Sequence, residues 1–252
     1  MNVISQKQWG KWKPKKYLTQ YYLPDIYAED EKYILEYFID FLKKLKRTFS
    51  KVIEIGSGPT IHHAIPLVPY ADKIILTDYL RTNLFEINHW LNQDPGAHNW
   101  DIYFEHILKY ESCRKPDYSA IKRRKEECRK KICLAQLDIR NLINSEVYPL
   151  VTAFYCADSI TNNKDEWKKY MLNLFKLVEP SGWCITSALR NASFYRVGKE
   201  YYPSPNINEN DYIKIFRENG FKIKTIRVSV HPIKMWTKEG FNAIIISIGQ
   251  KK

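Results

Sequence analysis

One stretch constrains the fold more than any other: Lys51 to Pro66, read Lys-Val-Ile-Glu-Ile-Gly-Ser-Gly-Pro-Thr-Ile-His-His-Ala-Ile-Pro. Val52 to Ile55 is a short β-branched run and predicts a buried strand. Gly56-Ser57-Gly58 follows at once, a sharp turn that needs residues free to take φ > 0. Pro59 suits the first turn of a helix, where no N–H is missed. A strand, a glycine turn and a helix start together leave bare backbone for a ligand to rest against.

The spacing narrows the ligand. A dinucleotide fingerprint requires a third glycine, and that place holds Ile61. Glu54-x-Gly56-x-Gly58 instead matches S-adenosyl-L-methionine (SAM) sites, where backbone approaches the methionyl part. A ligand-free tight turn is the plainer alternative. Lys73 to Thr77 predicts the next strand, ending in Asp78, twenty-two positions after Gly56. An acid there accepts from ribose hydroxyls or caps the following helix, and the two roles are compatible.

The remaining chain reads as one α/β domain of 252 residues, with an aromatic segment at 1–28 and a basic insertion at 99–131. Trp9, Tyr17 and Tyr21 share a stripe if Trp9 to Tyr22 is helical, and we read that segment as a lid. Glu29 to Arg47 carries a helical stripe of Ile34, Leu35, Phe38, Phe41, Leu42 and Leu45. Asn83 to Leu91 is a second amphipathic helix. Ile132 to Leu137 predicts strand three, ending in Asp138-Ile139. That acid either faces an exocyclic amine or makes a loop turn. Strand four spans Tyr148 to Ala157, a helix Trp167 to Val178, strand five Trp183 to Ala188, and another helix Asn206 to Asn219. Lys222 to Val230 and Phe241 to Ile248 are strands joined too closely for a crossover helix, so they pair antiparallel. The pattern predicts a Rossmann-like class I SAM-dependent methyltransferase fold: a seven-stranded, mostly parallel sheet whose last strand is antiparallel.

Bulk properties limit the partners. No apolar run approaches the 18 or more residues of a membrane span, and Met1 to Lys16 has no leader-like apolar core, so a soluble cytoplasmic protein is expected. The five cysteines form no Cys-x-x-Cys pair, against structural zinc and in favour of a reducing compartment. Cys156 reads as a small core residue. The net charge of +12 suits nucleic acid. Much of it sits in clusters at Lys11 to Lys16, Lys43 to Arg47 and Lys122 to Lys131, which read as solvated faces.

Along nearly its whole length the chain resembles the nicotinamide / phenylethanolamine / thioether methyltransferase family. The matching words are Tyr17-Leu18-x-x-Tyr21-Tyr22, Ile55-Gly56-Ser57-Gly58-Pro59-Thr60-Ile61 and Thr77-Asp78-Tyr79-x-x-x-Asn83-Leu84. Others are Glu86-x-x-x-Trp90-Leu91, Asp138-Ile139, Pro180-x-Gly182 and Tyr195-x-x-Gly198. The resemblance implies SAM as methyl donor, S-adenosyl-L-homocysteine as product, a small-molecule acceptor methylated at nitrogen, and a monomer. It implies cofactor contacts at Tyr17, Tyr22, Gly56, Ser57, Gly58, Thr60, Asp78, Tyr79, Asn83, Asp138, Ile139 and Phe154. His62 stands where the family has tyrosine, and is read either as a cofactor contact or as a satisfied polar group. Trp9, Tyr21 and Tyr195 are expected around the acceptor.

At two positions the family's acceptor-side carboxylates are replaced, by Ser187 and Arg190. The expectation is therefore a neutral or anionic acceptor rather than nicotinamide or a catecholamine. Asp158, after strand four, is the candidate proton acceptor, with helix capping as its other reading, and Tyr195 is the candidate pocket wall. A nucleic-acid methyltransferase is the first rival. The Asn/Asp-Pro-Pro-Tyr/Phe word of amine-directed enzymes is absent, its place reading Tyr155-Cys156-Ala157-Asp158. A non-catalytic protein of the same fold is the second rival.

Overall fold

The computed structural model describes residues 6–143 and 146–252. Its centre is a seven-stranded sheet in the order β3-β2-β1-β4-β5-β9-β8. In chain order these strands are β1 (Phe49–Ile55), β2 (Ala71–Asp78), β3 (Ile132–Gln136), β4 (Tyr148–Phe154), β5 (Val178–Leu189), β8 (Arg227–Pro232) and β9 (Ala243–Gln250). Neighbours pair in parallel from β3 to β5, and β9 runs antiparallel to both β5 and β8. The chain moves outward from β1 to β2 and β3, then returns to lay β4 on the other side of β1. Such a reversal leaves a crevice beyond the carboxyl ends of the strands. Every residue of β4 is buried, as a central strand covered on both faces requires.

Helices α1 (Pro14–Tyr21), α2 (Glu29–Leu45), α3 (Arg81–Leu91), α4 (Asp101–Ser112), α5 (Tyr118–Lys131), α6 (Lys164–Lys176) and α7 (Glu209–Glu218) surround the sheet. Of the predicted α2 stripe Ile34, Leu35, Phe38 and Leu42 are buried, Phe41 and Leu45 are half-buried, and Ile39, outside the predicted stripe, is buried as well.

Five features differ from the expectation. The segment from Trp9 to Tyr22 is not one helix. A 3-10 turn, Gln6–Lys11, gives way to α1, which starts at Pro14, where a residue without an N–H fits. Residues 1–5 of the predicted lid lie outside the described residues. No α-helix starts at Pro59. The chain turns and enters a short 3-10 helix at His62–Leu67, which contains Pro66. The insertion is better ordered than its pattern suggested: α4 buries Tyr103, Phe104 and Ile107. Cations of the basic run are engaged, among them Arg124 on Glu111 and the Ile65 carbonyl, Lys125 on Asp101, and Lys131 on the Val68 and Ala71 carbonyls. Finally, Ile223–Thr225 is 3-10, so β8 starts later than predicted, and an unpredicted hairpin pairs β6 (Phe194–Val197) with β7 (Glu200–Pro203).

Candidate active site

One cavity opens at the carboxyl ends of β1, β2, β4 and β5, roofed by the aromatic N-terminal segment. The β1 turn builds its floor. Gly56 and Gly58 both have positive φ, 69° and 62°. At Gly56 a Cβ would sit 2.3 Å from the Cys156 sulfur, so only glycine allows the two turns to meet. At Gly58 a Cβ would meet nothing within 4 Å, so its backbone faces open space.

Asp78 stands beside that turn. Its carboxylate accepts from Gly58 N at 2.9 Å and from Leu80 N at 2.7 Å. Burial pushes its pKa up to about 6, against the pull of those donors and of Asn83. It does not cap α3, whose cap position is Leu80. Asp138 has a different environment. Arg140 grips both of its oxygens at 2.7 and 2.8 Å. Burial alone would raise its pKa, but these bonds hold it below the usual range. The same guanidinium lies 4.2 Å from the Tyr79 ring centre.

The lid is shut and pinned. Trp12 Nε1 donates to Asn83 at 2.7 Å, and Tyr21 OH donates to the Arg196 carbonyl at 2.7 Å. Gln20 accepts from Gly198 N at 2.7 Å, tying α1 to the β6–β7 hairpin. Trp9 and Trp12 both pack on Tyr202.

On the other side of β1 lies a charged network that sequence reading missed. Its hub is the first turn of α2, Glu29-Asp30-Glu31. Three acids there match the helix dipole and read as a solvated helix start. Instead Asp30 and Glu31 are buried. Glu31 Oε2 lies 2.9 Å from His63 Nε2 and 3.0 Å from His62 Nε2, while Oε1 accepts from Tyr22 OH at 2.9 Å. His63 Nδ1 lies 3.2 Å from Glu54. Burial would lower the His63 pKa, but the two carboxylates raise it to about 9. Burial would likewise raise Glu31, yet the two imidazoles hold it well below the carboxylate range. Asp30 accepts from Trp236 Nε1 at 2.7 Å and from Tyr155 OH at 2.9 Å. Burial and the Glu31 charge push its pKa up to about 7. The signals were a buried-strand glutamate, a His-His pair and three consecutive acids, but no local pattern joins them.

Most of the expected site residues line the cavity: Trp9, Tyr17, Tyr21, Tyr22, Gly56, Ser57, Gly58, Thr60, Asp78, Tyr79, Asn83, Asp138, Ile139, Phe154 and Tyr195. Four do not. His62 is fully buried behind the wall, its ring stacked on Trp100, and His63 takes the lining position. Arg190 points to Glu209 in a two-pronged ion pair at 2.7 and 2.9 Å. Ser187 is buried and accepts the Tyr155 N–H at 3.2 Å, so it touches the cavity only through Tyr155. Asp158 is buried behind the lining, with one oxygen accepting from Leu189 N at 2.9 Å and the other without a hydrogen-bond partner among the described residues. It does not cap α6, because Asn163 does that.

The sequence profile described as the NNMT/PNMT/TEMT family matches residues 2–251. Human phenylethanolamine N-methyltransferase is 24% identical over 193 residues, covering 74% of this chain and 67% of that protein. Mouse indolethylamine N-methyltransferase is 26% identical over 223 residues, covering 83% of this chain and 82% of that protein. Among solved structures, magnesium protoporphyrin IX methyltransferase from Synechocystis PCC 6803 with bound SAM superposes with a TM-score of 0.59 at 13% identity, over 98% of this chain and 95% of that one. That likeness concerns the fold.

Proposed function

The chain belongs to the NNMT/PNMT/TEMT family, a SAM-dependent methyltransferase by that membership, and we propose that it methylates a nitrogen of a small molecule enclosed under its lid. The observation that carries the cofactor placement is Asp78. It is a carboxylate 7% exposed, anchored by backbone donors, on the wall of a cavity beside the bare backbone of Gly58. Hydroxyl donors there would offset the cost of burying its charge.

When bound, SAM supplies a methyl group made electrophilic by its sulfonium. The chain's own task is to hold, orient and dry the site. Asp78 takes the ribose hydroxyls. Ile139 and Tyr79 flank the adenine, with Asp138 held in place by Arg140. Gly56, Ser57 and Thr60 line the methionyl part. Trp9, Trp12, Tyr17 and Tyr21 cover both ligands, and their bonds to Asn83 and Arg196 keep water out. Each of these roles needs only a side chain already on the wall. The lidded cavity supports a small-molecule acceptor, and a monomer is the expectation carried by the family resemblance. No described helix is long and apolar enough to cross a membrane. We place the enzyme in the cytoplasm.

The test is calorimetric titration of SAM into wild type and Asp78→Ala. We expect affinity to fall by about a hundredfold, on the order of 2.7 kcal/mol, with the melting temperature retained. Unchanged affinity would remove the cofactor assignment.

A further inference from the structure

The acceptor end of the cavity is more specific than family membership requires, and this inference rests on the reading just given. The lining residues carry two cationic side chains among the described residues, and both are already engaged: Arg140 with Asp138, and His63 with Glu31 and Glu54. Asp30 has no such partner. Its donors are the neutral indole of Trp236 and the phenol of Tyr155, and no lysine, arginine or histidine among the described residues lies within ion-pair distance of it. Buried charges are ordinarily paired.

The placement of Asp30 is also over-determined. Neighbouring Glu29 accepts from Lys234 N at 3.0 Å and Met235 N at 3.2 Å, which fixes the β8–β9 connection that carries Trp236. Tyr155 takes a positive φ of 52° at the end of β4, a left-handed conformation costly for an aromatic residue. Its backbone N–H donates to the Ser187 hydroxyl at 3.2 Å and to the Ser187 carbonyl at 3.1 Å. A strained backbone, a helix start and a loop are thus all spent on aiming one carboxylate. Tyr155 and Trp236 hold it directly, Tyr21 packs on Trp236 at 4.8 Å between ring centres, and Tyr195 and Phe241 line the same cavity. Aromatic faces beside a carboxylate favour an organic cation.

We infer that Asp30 is the acceptor-binding carboxylate of this enzyme and that the acceptor is an amine carried in as its ammonium ion. The role falls to α2, and not to the end of β5, where Ser187 and Arg190 stand. A nitrogen must shed its extra proton before its lone pair can attack. In that transfer an N–H bond breaks and an O–H bond forms on Asp30, which then releases the proton to solvent. Its pKa, pushed up to about 7, suits it to do both near neutrality.

The experiment uses three probes of one shape: benzylammonium, benzyl alcohol and benzoate. Each is titrated calorimetrically into the full-length protein, with and without S-adenosylhomocysteine. The S-adenosylhomocysteine titration reports the cofactor reading, and the preference among probes reports Asp30 whichever way that titration goes. Benzylammonium should bind at least about tenfold more tightly than the other two. Asp30→Asn should erase that preference and leave S-adenosylhomocysteine affinity within about twofold. A wild type without cation preference, or an Asp30→Asn protein that keeps it, overturns the assignment. Should Asp30→Asn fail to fold, Tyr155→Phe and Trp236→Phe release the carboxylate while keeping its charge. Each should weaken benzylammonium several-fold at unchanged S-adenosylhomocysteine affinity, and unchanged probe affinity in both also overturns it.

Discussion

The two sides of the cavity are built on different plans. On the β2–β3 side, Asp78 takes its hydrogen bonds from backbone N–H groups, Gly58 and Leu80. Asp138 pairs with Arg140, two positions along the chain. On the β4–β5 side, Glu31 meets His63, Asp30 meets Tyr155 and Trp236, and Glu54 meets His63. The first plan uses neighbours that any chain with the glycine turn brings together. The second uses groups drawn from opposite ends of the chain, and it exists only once the sheet has formed. The lesson is that the wall proposed for the cofactor is local and stiff, while the wall proposed for the acceptor depends on a buried charge balance that the fold must maintain.

That contrast can be broken most forcibly at His63. His63→Ala leaves Glu31 and Glu54 buried without their shared cation. Removing one partner of a buried ion pair costs about 3–5 kcal/mol, which corresponds to a fall of roughly 10 °C in melting temperature for a chain of this size. Calorimetry would show it, and a loss under 2 °C would mean that the network carries no such balance.

A milder perturbation is pH. Asp30 and Asp158 have folded pKa values raised to about 7, and His63 to about 9. For each, the folded value lies above the unfolded one, so the stability is present at low pH and is lost as pH rises through the folded value. His62 and His98 are shifted down and stay neutral above pH 7. The unliganded protein should therefore lose several degrees of melting temperature between pH 7 and pH 9. A flat or rising profile would contradict the buried His63 network, and Asp30→Asn should flatten chiefly the fall between about pH 4 and 7, where its own contribution is lost.

The smallest effect belongs to Arg190. Its partnership with Glu209 is about one-third exposed on both sides, and such pairs contribute at most about 1 kcal/mol. Arg190→Ala should leave the Michaelis constants for both substrates within about twofold. A large rise for the acceptor would return Arg190 to the site and weaken the case for α2.

What could be read from the chain follows the same division. The glycine turn, the acid at the end of β2, most of the α2 stripe and the mostly parallel sheet with its antiparallel close are legible because their signals are local: an apolar period, a backbone that needs positive φ, an acid at a fixed spacing. The break in the lid at Pro14, the 3-10 turn at His62 and the β6–β7 hairpin were not, since short elements carry too few residues for a period to show. The resemblance led to an expectation of Ser187 and Arg190 on the acceptor side, yet one turns to a backbone amide and the other to Glu209.

The sequence by itself determined a class I sheet and a cofactor turn, because backbone dihedrals and hydrophobic period act between near neighbours. Only the tertiary structure decided which partner each of the α2 carboxylates meets. Glu29, Asp30 and Glu31 are chemically alike and adjacent, and nothing but the packing of α2 against the β8–β9 connection, β4 and the His62–His63 turn sends each to a different partner. Half-buried Glu29 becomes a loop clamp, while burial turns Asp30 into a carboxylate held only by neutral donors among the described residues and Glu31 into an ion-pair hub.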